Sequence, residues 1–189
     1  NIVAAYLKKQ GINNIHIVTR LDKNTTGICI FAKNEYIQEL FVRRKDKLNL
    51  KKEYIAIVNG IITEEHGIIE KNIARMDNTI ILRHTVIDNT GDYAKTEYNV
   101  LSRNEEKNYT VVNVLLHTGR THQIRVHMID LGHILLGDTL YAEHYGIHDI
   151  DKLISRQALH AHSISFNHPI TDEFIQIHAD IPNDMKNLI

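Results

Sequence analysis

The chain is poor in cysteine: Cys29 is the only one among 189 residues. No disulfide framework can form, and a reducing compartment, the cytoplasm, is the expected setting. Long apolar runs are missing too, so no membrane span is expected, and no signal peptide is visible. There is no repeat, no low-complexity tract and no linker, which leaves one domain with a sizeable core as the expectation. No histidine–glutamate–x–x–histidine pattern occurs, although the chain has 13 histidines. His117, His122 and His127 are five apart, which does not put them on one helical face, whereas His160 and His162 would share a strand face. A metal centre is therefore not expected. Nor does either charge dominate. The formal net charge is −1, which by itself does not advertise a polyanion-binding protein.

What the chain does have is an uneven distribution of charge. Residues 1–128 carry 19 basic and 14 acidic side chains, and residues 129–189 carry 3 and 9. The densest basic run is Arg43, Arg44, Lys45, Lys47, Lys51 and Lys52, opposed in that span by Asp46. Such a run is usually a solvated face. Here it leads into an apolar strand, where it could also meet phosphates.

The most informative stretch is TRLDKNTTG, residues 19–27. It sets one carboxylate, Asp22, two residues after Arg20 and just before a run of small, turn-prone residues. Ile15, Ile17 and Val18 precede it, and Ile28, Cys29, Ile30 and Phe31 follow. β-branched flanks around a polar turn suit a loop held on a rigid sheet. A carboxylate near a guanidinium can be kept ionised and aimed, as a nucleophile requires. The bland reading is a surface Arg20–Asp22 pair in a hairpin. No second carboxylate spaced for glycoside hydrolysis is evident around Asp22, which argues against a two-carboxylate glycosidase.

Periodicity predicts a first helix over residues 1–10 and strands at 15–19 and 27–32, with Cys29 a small buried hydrophobe. Asn34 is placed to cap a helix running through Arg44. Residues 52–58 read as a strand with Tyr54, Ala56 and Val58 on one face and Ile55 and Ile57 on the other. Asn59–Gly60 is a turn signal. Within 61–91, residues 79–82 look β-like. Residues 95–102 and 109–116 are the clearest strands, joined by a turn over 103–108. A helix is expected over 121–131, a loop over 138–154, a hairpin of 158–166 with 174–178, and a short helix after Pro182. Antiparallel hairpins interleaved with a few helices indicate an α+β fold.

Three blocks occur in an order that carries a family resemblance. TRLDKNTTG resembles the arginine-leucine-aspartate motif of the RluA-type RNA pseudouridine synthases. KKEYIAIVNG, residues 51–60, resembles their lysine-x-tyrosine strand, and LLHTGRTHQIRVH, residues 115–127, their glycine-arginine-x-histidine-glutamine-x-arginine block. RQALHAHSISFNHP, residues 156–169, is similar to the family's closing hairpin, and DIPNDM, residues 180–185, to its final turn. The resemblance implies the pseudouridine-synthase fold, a mixed and largely antiparallel sheet with flanking helices and a central catalytic cleft. It implies that residues 1–189 are the catalytic domain, without the family's usual first strand and without an amino-terminal RNA-binding module.

It also implies roles. Asp22, Tyr54 and Arg125 would be catalytic. Asp22 would initiate isomerisation of uridine in ribosomal or transfer RNA, Arg125 would keep it ionised, and Tyr54 would pack against the target base. Tyrosine, with a pKa near 10, is a poor base without help. Arg120 is the alternative partner for Asp22. Arg20 would fill the gap left by the flipped nucleotide, since base chemistry inside structured RNA requires extrusion. Lys52, Arg120, His122, Gln123, Arg43 and Arg44 complete the expected substrate contacts. No cofactor is expected, because isomerisation needs neither redox change nor net hydrolysis. RNA is the expected partner of a monomer.

Two positions depart from the family pattern. Thr19 stands where many relatives have histidine, and Thr26 where serine is common; activity is expected to survive both. Two rivals come from other classes. One is a non-catalytic RNA-binding or RNA-folding protein on the same fold, which would need none of the Asp22, Arg125 and Tyr54 constellation. The other is a metal-dependent hydrolase, which element analysis would expose.

Overall fold

A computed structural model describes residues 2–44, 46–87, 90–146 and 153–189. Asn1 of the expected first helix, Lys45 of the basic run, residues 88–89 and residues 147–152 of the expected loop lie outside the described residues. The helices are α1 (Ile2–Lys8), α2 (Glu35–Arg43), α3 (Gln123–Asp130), α4 (Thr139–Tyr145) and α5 (Asn183–Lys186). The strands are β1 (His16–Ile17), β2 (Thr26–Gly27), β3 (Phe31–Ala32), β4 (Lys51–Asn59), β5 (His66–Glu70), β6 (Asn72–Arg75), β7 (Arg83–Val86), β8 (Lys95–Asn104), β9 (Tyr109–Leu116), β10 (Leu159–Asn167) and β11 (Phe174–His178).

The main sheet runs β11–β10–β4–β9–β8–β5, every neighbouring pair antiparallel, with β2 added parallel to β10. Its centre is β4, whose alternation works on both faces. Tyr54, Ala56 and Val58 pack with Val112, Val114, Ile124 and Met128. Ile55 and Ile57 pack on the other side with Val111, Val126, Ile134 and Tyr141. A strand covered on both sides has few polar side chains to spare, which explains its IAIV run; each buried valine or isoleucine stabilises by roughly 1.5–3 kcal/mol. A smaller cluster of Phe41, Leu48 and Phe166 ties α2 to the edge of the sheet. Asn34 caps α2 by accepting the Ile37 N–H at 2.9 Å, and α2 ends at Arg43.

Several expectations need correction. The strands expected over 15–19 and 27–32 shrink to the short pair β1–β3, with residues 28–30 outside any strand. This segment is tethered by isolated bonds instead, among them Ile30 N–H to the Thr19 hydroxyl at 2.8 Å. Cys29 is accordingly only half-buried. Residues 79–82 are not a strand. They form the turn of the β6–β7 hairpin, where the Thr79 hydroxyl accepts backbone N–H groups of Ile81 and Leu82. β8 continues two residues past the expected boundary. Helix α3 starts at Gln123, two residues late, because His122 has a left-handed φ of 58°. The expected loop after Asp138 opens with α4, capped by Asp138 and stopped by Gly146 at φ 67°.

Candidate active site

Three adjacent strands align the site. Tyr54 of β4 pairs with Ala161 of β10, and Ala161 pairs with Gly27 of β2. The row sets the turn of residues 22–25 beside the tyrosine. Gly27 is required there: its φ is 112°, and a Cβ would lie 2.2 Å from the Ala161 carbonyl oxygen. The turn is closed by Thr25 N–H donating to the Asp22 carbonyl at 3.0 Å. Gln157 holds it from β10's entry, donating to the Lys23 carbonyl and to the Thr25 hydroxyl. Thr26 contacts the buried His160 ring nitrogen at 2.9 Å.

Opposite the turn lies α3, buried from Gln123 to Met128. A buried helix can carry polar side chains only if each finds partners. Gln123 accepts from the Thr118 hydroxyl and Arg120 N–H and donates to the Lys95 carbonyl and Thr96 hydroxyl. His127 contacts the Thr96 hydroxyl and the Lys71 carbonyl. Arg125 makes a two-pronged pair with Asp138, Nε to Oδ2 at 2.6 Å and Nη2 to Oδ1 at 2.7 Å. Its third nitrogen, Nη1, lies 3.8 Å from Asp22 Oδ2. The guanidinium also sits 4.7 Å over the Tyr141 ring.

The three charges differ in exposure. Arg125 and Asp138 are 4% and 1% exposed, whereas Asp22 is 26% exposed and lines the cleft. Burial raises the Asp22 pKa above the ordinary carboxylate value, Arg125 pulls it back, and Asp138 pushes it up again. The backbone N–H of His122 also supports the ionised form, and the left-handed turn at His122 sits at this junction. Burial drives the His122 pKa down to about 4, so the ring is neutral at neutral pH. Its Nδ1 lies 2.9 Å from the Tyr141 hydroxyl, whose own pKa burial raises to about 12. Burial and the Asp22 charge push the Tyr54 phenol far above its usual range, which argues for stacking and against general-base work.

The cleft between these walls has a volume of about 370 Å³ and is lined by Arg20, Leu21, Asp22, Lys52, Tyr54, Arg120 and Gln123 among others. That volume is in the range of small-molecule sites, roughly 300–1,000 Å³. A wider groove of about 840 Å³ continues from it past Leu50, Lys52 and Gly119 towards Lys51, His117 and Phe174.

Asp22, Tyr54, Arg20, Lys52, Arg120 and Gln123 thus share one cleft, with Arg125 behind Asp22. Arg125, not Arg120, pairs with Asp22; Arg120 Nε donates to the Tyr93 carbonyl. Arg20 and Asp22 form no ion pair among the described residues. Gln123 lines the cleft while its amide is engaged within the chain, bracing the 118–120 loop. His122 does not line the cleft and acts on Asp22 through its backbone. Arg43 and Arg44 line neither the cleft nor the groove. Arg43 pairs with Glu39 in its own helix, and Arg44 donates to the Pro169 carbonyl and Asp172.

Sequence reading missed Asp138 and Tyr141. It looked for a second carboxylate only as a glycosidase partner of Asp22, whereas Asp138 occupies the far side of the same guanidinium. The available signal was helical: Asp138 before TLYAEHY, with Gly146 as the stop, is a capped-helix pattern.

The sequence profile of the RNA pseudouridylate synthase family matches residues 3–130. The chain is 40% identical over 175 residues to the uncharacterized RNA pseudouridine synthase YjbO of Bacillus subtilis, covering 93% of this chain and 58% of that protein. It is 41% identical over 180 residues to ribosomal large subunit pseudouridine synthase D of Vibrio cholerae, covering 91% and 54%. The chain therefore spans somewhat more than half the length of these relatives. Among solved structures, human RNA pseudouridylate synthase domain containing 1 superposes with a TM-score of 0.73 at 26% identity, over 92% of this chain and 73% of that one. Human RNA pseudouridylate synthase domain containing 4 shares the fold, with a TM-score of 0.71 at 24% identity over 99% and 80%.

Proposed function

The chain belongs to the RNA pseudouridylate synthase family, and from that membership we propose that it isomerises uridine in RNA to pseudouridine, with residues 1–189 as the catalytic domain. The observation that carries this reading is Asp22 in a cleft beside the Tyr54 ring with Arg125 Nη1 at 3.8 Å. Asp22 initiates cleavage of the N1–C1′ bond. The base turns, C5 bonds to C1′, the C5 proton leaves and N1 gains a proton. Atoms and electrons balance without a redox partner, so the chemistry needs no cofactor. Tyr54 stacks on the base. Arg125 favours the ionised form of Asp22 while Asp138 fixes the guanidinium. Arg20 occupies the gap left by the flipped nucleotide, and Lys52 and Arg120 meet neighbouring phosphates. Arg43, 72% exposed, is a peripheral phosphate contact.

Ribosomal RNA is the proposed substrate, supported by relatives named for the large ribosomal subunit. A single cysteine fits a cytoplasmic setting. No described helix is long and apolar enough to cross a membrane.

The test is incubation with an unmodified large-subunit ribosomal RNA transcript, followed by pseudouridine mapping, for wild type and Asp22→Asn. Conversion of discrete uridines by wild type and none by the variant is expected. RNA binding without conversion by either protein would favour the binding-only alternative.

A further inference from the structure

The β6–β7 hairpin sets Arg75 directly opposite Arg83. Like charges facing each other across a ladder destabilise a sheet. A third arginine, Arg120, borders the same small cavity of about 220 Å³, together with Ile73, Asp92 and Thr121. Three guanidiniums against one carboxylate leave a local surplus of positive charge, and like charges crowded round one cavity favour an anion.

The three arginines are held differently. Arg83 is anchored, donating from Nη1 to the carbonyls of Ile81 and Leu82, both at 2.9 Å. Its backbone N–H donates to the Tyr141 hydroxyl at 3.1 Å, which ties the hairpin to the cluster behind Asp22. Arg120 spends its Nε on the Tyr93 carbonyl at 3.0 Å. Arg75 is exposed and has no ion pair among the described residues. The cavity shares Arg120 and Thr121 with the catalytic cleft. An anion held there would therefore stand next to whatever occupies the cleft.

We propose that this cavity is a phosphate site, which holds one backbone phosphodiester of the RNA strand adjoining the target uridine. The proposal rests on the function proposed above, from which the RNA is taken. Guanidiniums suit the task because their planar N–H forks match phosphate oxygens, and the Thr121 hydroxyl can add a donor. The bound phosphate relieves the repulsion between Arg75 and Arg83 and fixes the strand where it enters the cleft.

Arg75→Gln is the informative variant, since Arg75 is exposed and belongs to no part of the catalytic cluster. Affinity for the unmodified large-subunit transcript is measured at several salt concentrations between roughly 50 and 200 mM. Loss of one phosphate contact should weaken binding and flatten the log–log salt slope by about 0.7–0.9. The single-turnover rate at saturating RNA should stay at the wild-type value, and the unfolding temperature without RNA should not fall. Arg75→Lys should restore the slope. Unchanged affinity and slope in Arg75→Gln would overturn the site. So would a melting shift with inorganic phosphate that needs Arg75 while RNA binding ignores it, because the anion held would then not be RNA. The two proposals fail separately. A slope that depends on Arg75 with no pseudouridine formed sinks the activity and keeps the phosphate site. Normal turnover with identical slopes does the reverse.

Discussion

Replacing Arg125 by methionine removes the only cation that Asp22 and Asp138 share among the described residues. Asp138 is 1% exposed and loses both prongs of its pair, at 2.6 and 2.7 Å. Breaking a buried pair from one side costs about 3–5 kcal/mol, because the remaining charge keeps its desolvation penalty and loses its compensation. For a domain of this size each kcal/mol moves the midpoint by about 2–4 °C, so a fall of roughly 6–20 °C is expected. The assay is thermal unfolding followed by circular dichroism at pH 7 and again at lower pH. The sign in pH follows from Asp22. Its folded pKa is already raised by burial, and without Arg125 it rises further. A carboxylate with a raised folded pKa destabilises the fold only while ionised, above its unfolded pKa. The deficit should therefore narrow as pH falls towards the ordinary carboxylate value. A second variant, Arg125→Met with Asp138→Leu, removes both members of the buried pair and should recover most of the loss. The residual deficit should be about 1 kcal/mol, since Asp138 also caps α4. A loss below about 1 kcal/mol in the single variant, or a double variant no better than the single, would refute this account.

Asp22→Asn should abolish conversion yet raise the unfolding temperature at pH 7, because it removes a carboxylate that burial disfavours; a clear drop in melting would contradict that. The acid limb of the single-turnover rate should lie above the ordinary aspartate value and should move to lower pH in Asp138→Asn, which deletes a charge that raises the Asp22 pKa. A rate profile from about pH 4 to 8 that is identical in the two proteins would break the link. Gly27→Ala should destabilise by more than about 2 kcal/mol, since it combines a left-handed strain with a backbone collision at Ala161; denaturant unfolding measures it, and a neutral result would show that β2 can move away from β10. Tyr54→Phe should retain most turnover while Tyr54→Ala loses it, as stacking requires; equal losses in single-turnover assays would assign the work to the hydroxyl.

The central strands were legible in sequence because their signals are local. Residues 52–58 alternate over both faces of the sheet, and β9 and α2 carry equally plain patterns. Segments whose structure depends on distant partners were not legible. Residues 15–32 have β-branched composition, but the chain there turns to bring Asp22 to the sheet. Its tethers come from Gln157, Ala161 and His160, more than 130 residues away. The 79–82 stretch reads as β by composition, yet its Thr79 hydroxyl closes a turn. Residues 139–145 carry few apolar residues at helical spacing, so α4 depends on its caps and on the burial of Tyr141 and Ala142.

The candidate site was legible to the same extent: the sequence blocks pointed to Asp22 and Tyr54 at the cleft and to Arg125 behind Asp22, but not to Asp138 and Tyr141, which hold that arginine. Asp22, Tyr54 and Arg125 each sit in a recognisable block, whereas Asp138 matters only through the guanidinium it holds. That separation has a chemical logic. A carboxylate gripped by both prongs of an arginine has its lone pairs occupied and makes a poor nucleophile. Here the grip falls on Asp138, the more buried of the two, and Asp22 keeps a looser 3.8 Å approach with one side open to the cleft. Two carboxylates around one guanidinium leave a net negative charge, and the cluster carries it at the one member that reaches solvent. Asp138 thereby fixes the arginine without help from Asp22, and Asp22 keeps a side open to the cleft, as its proposed role requires.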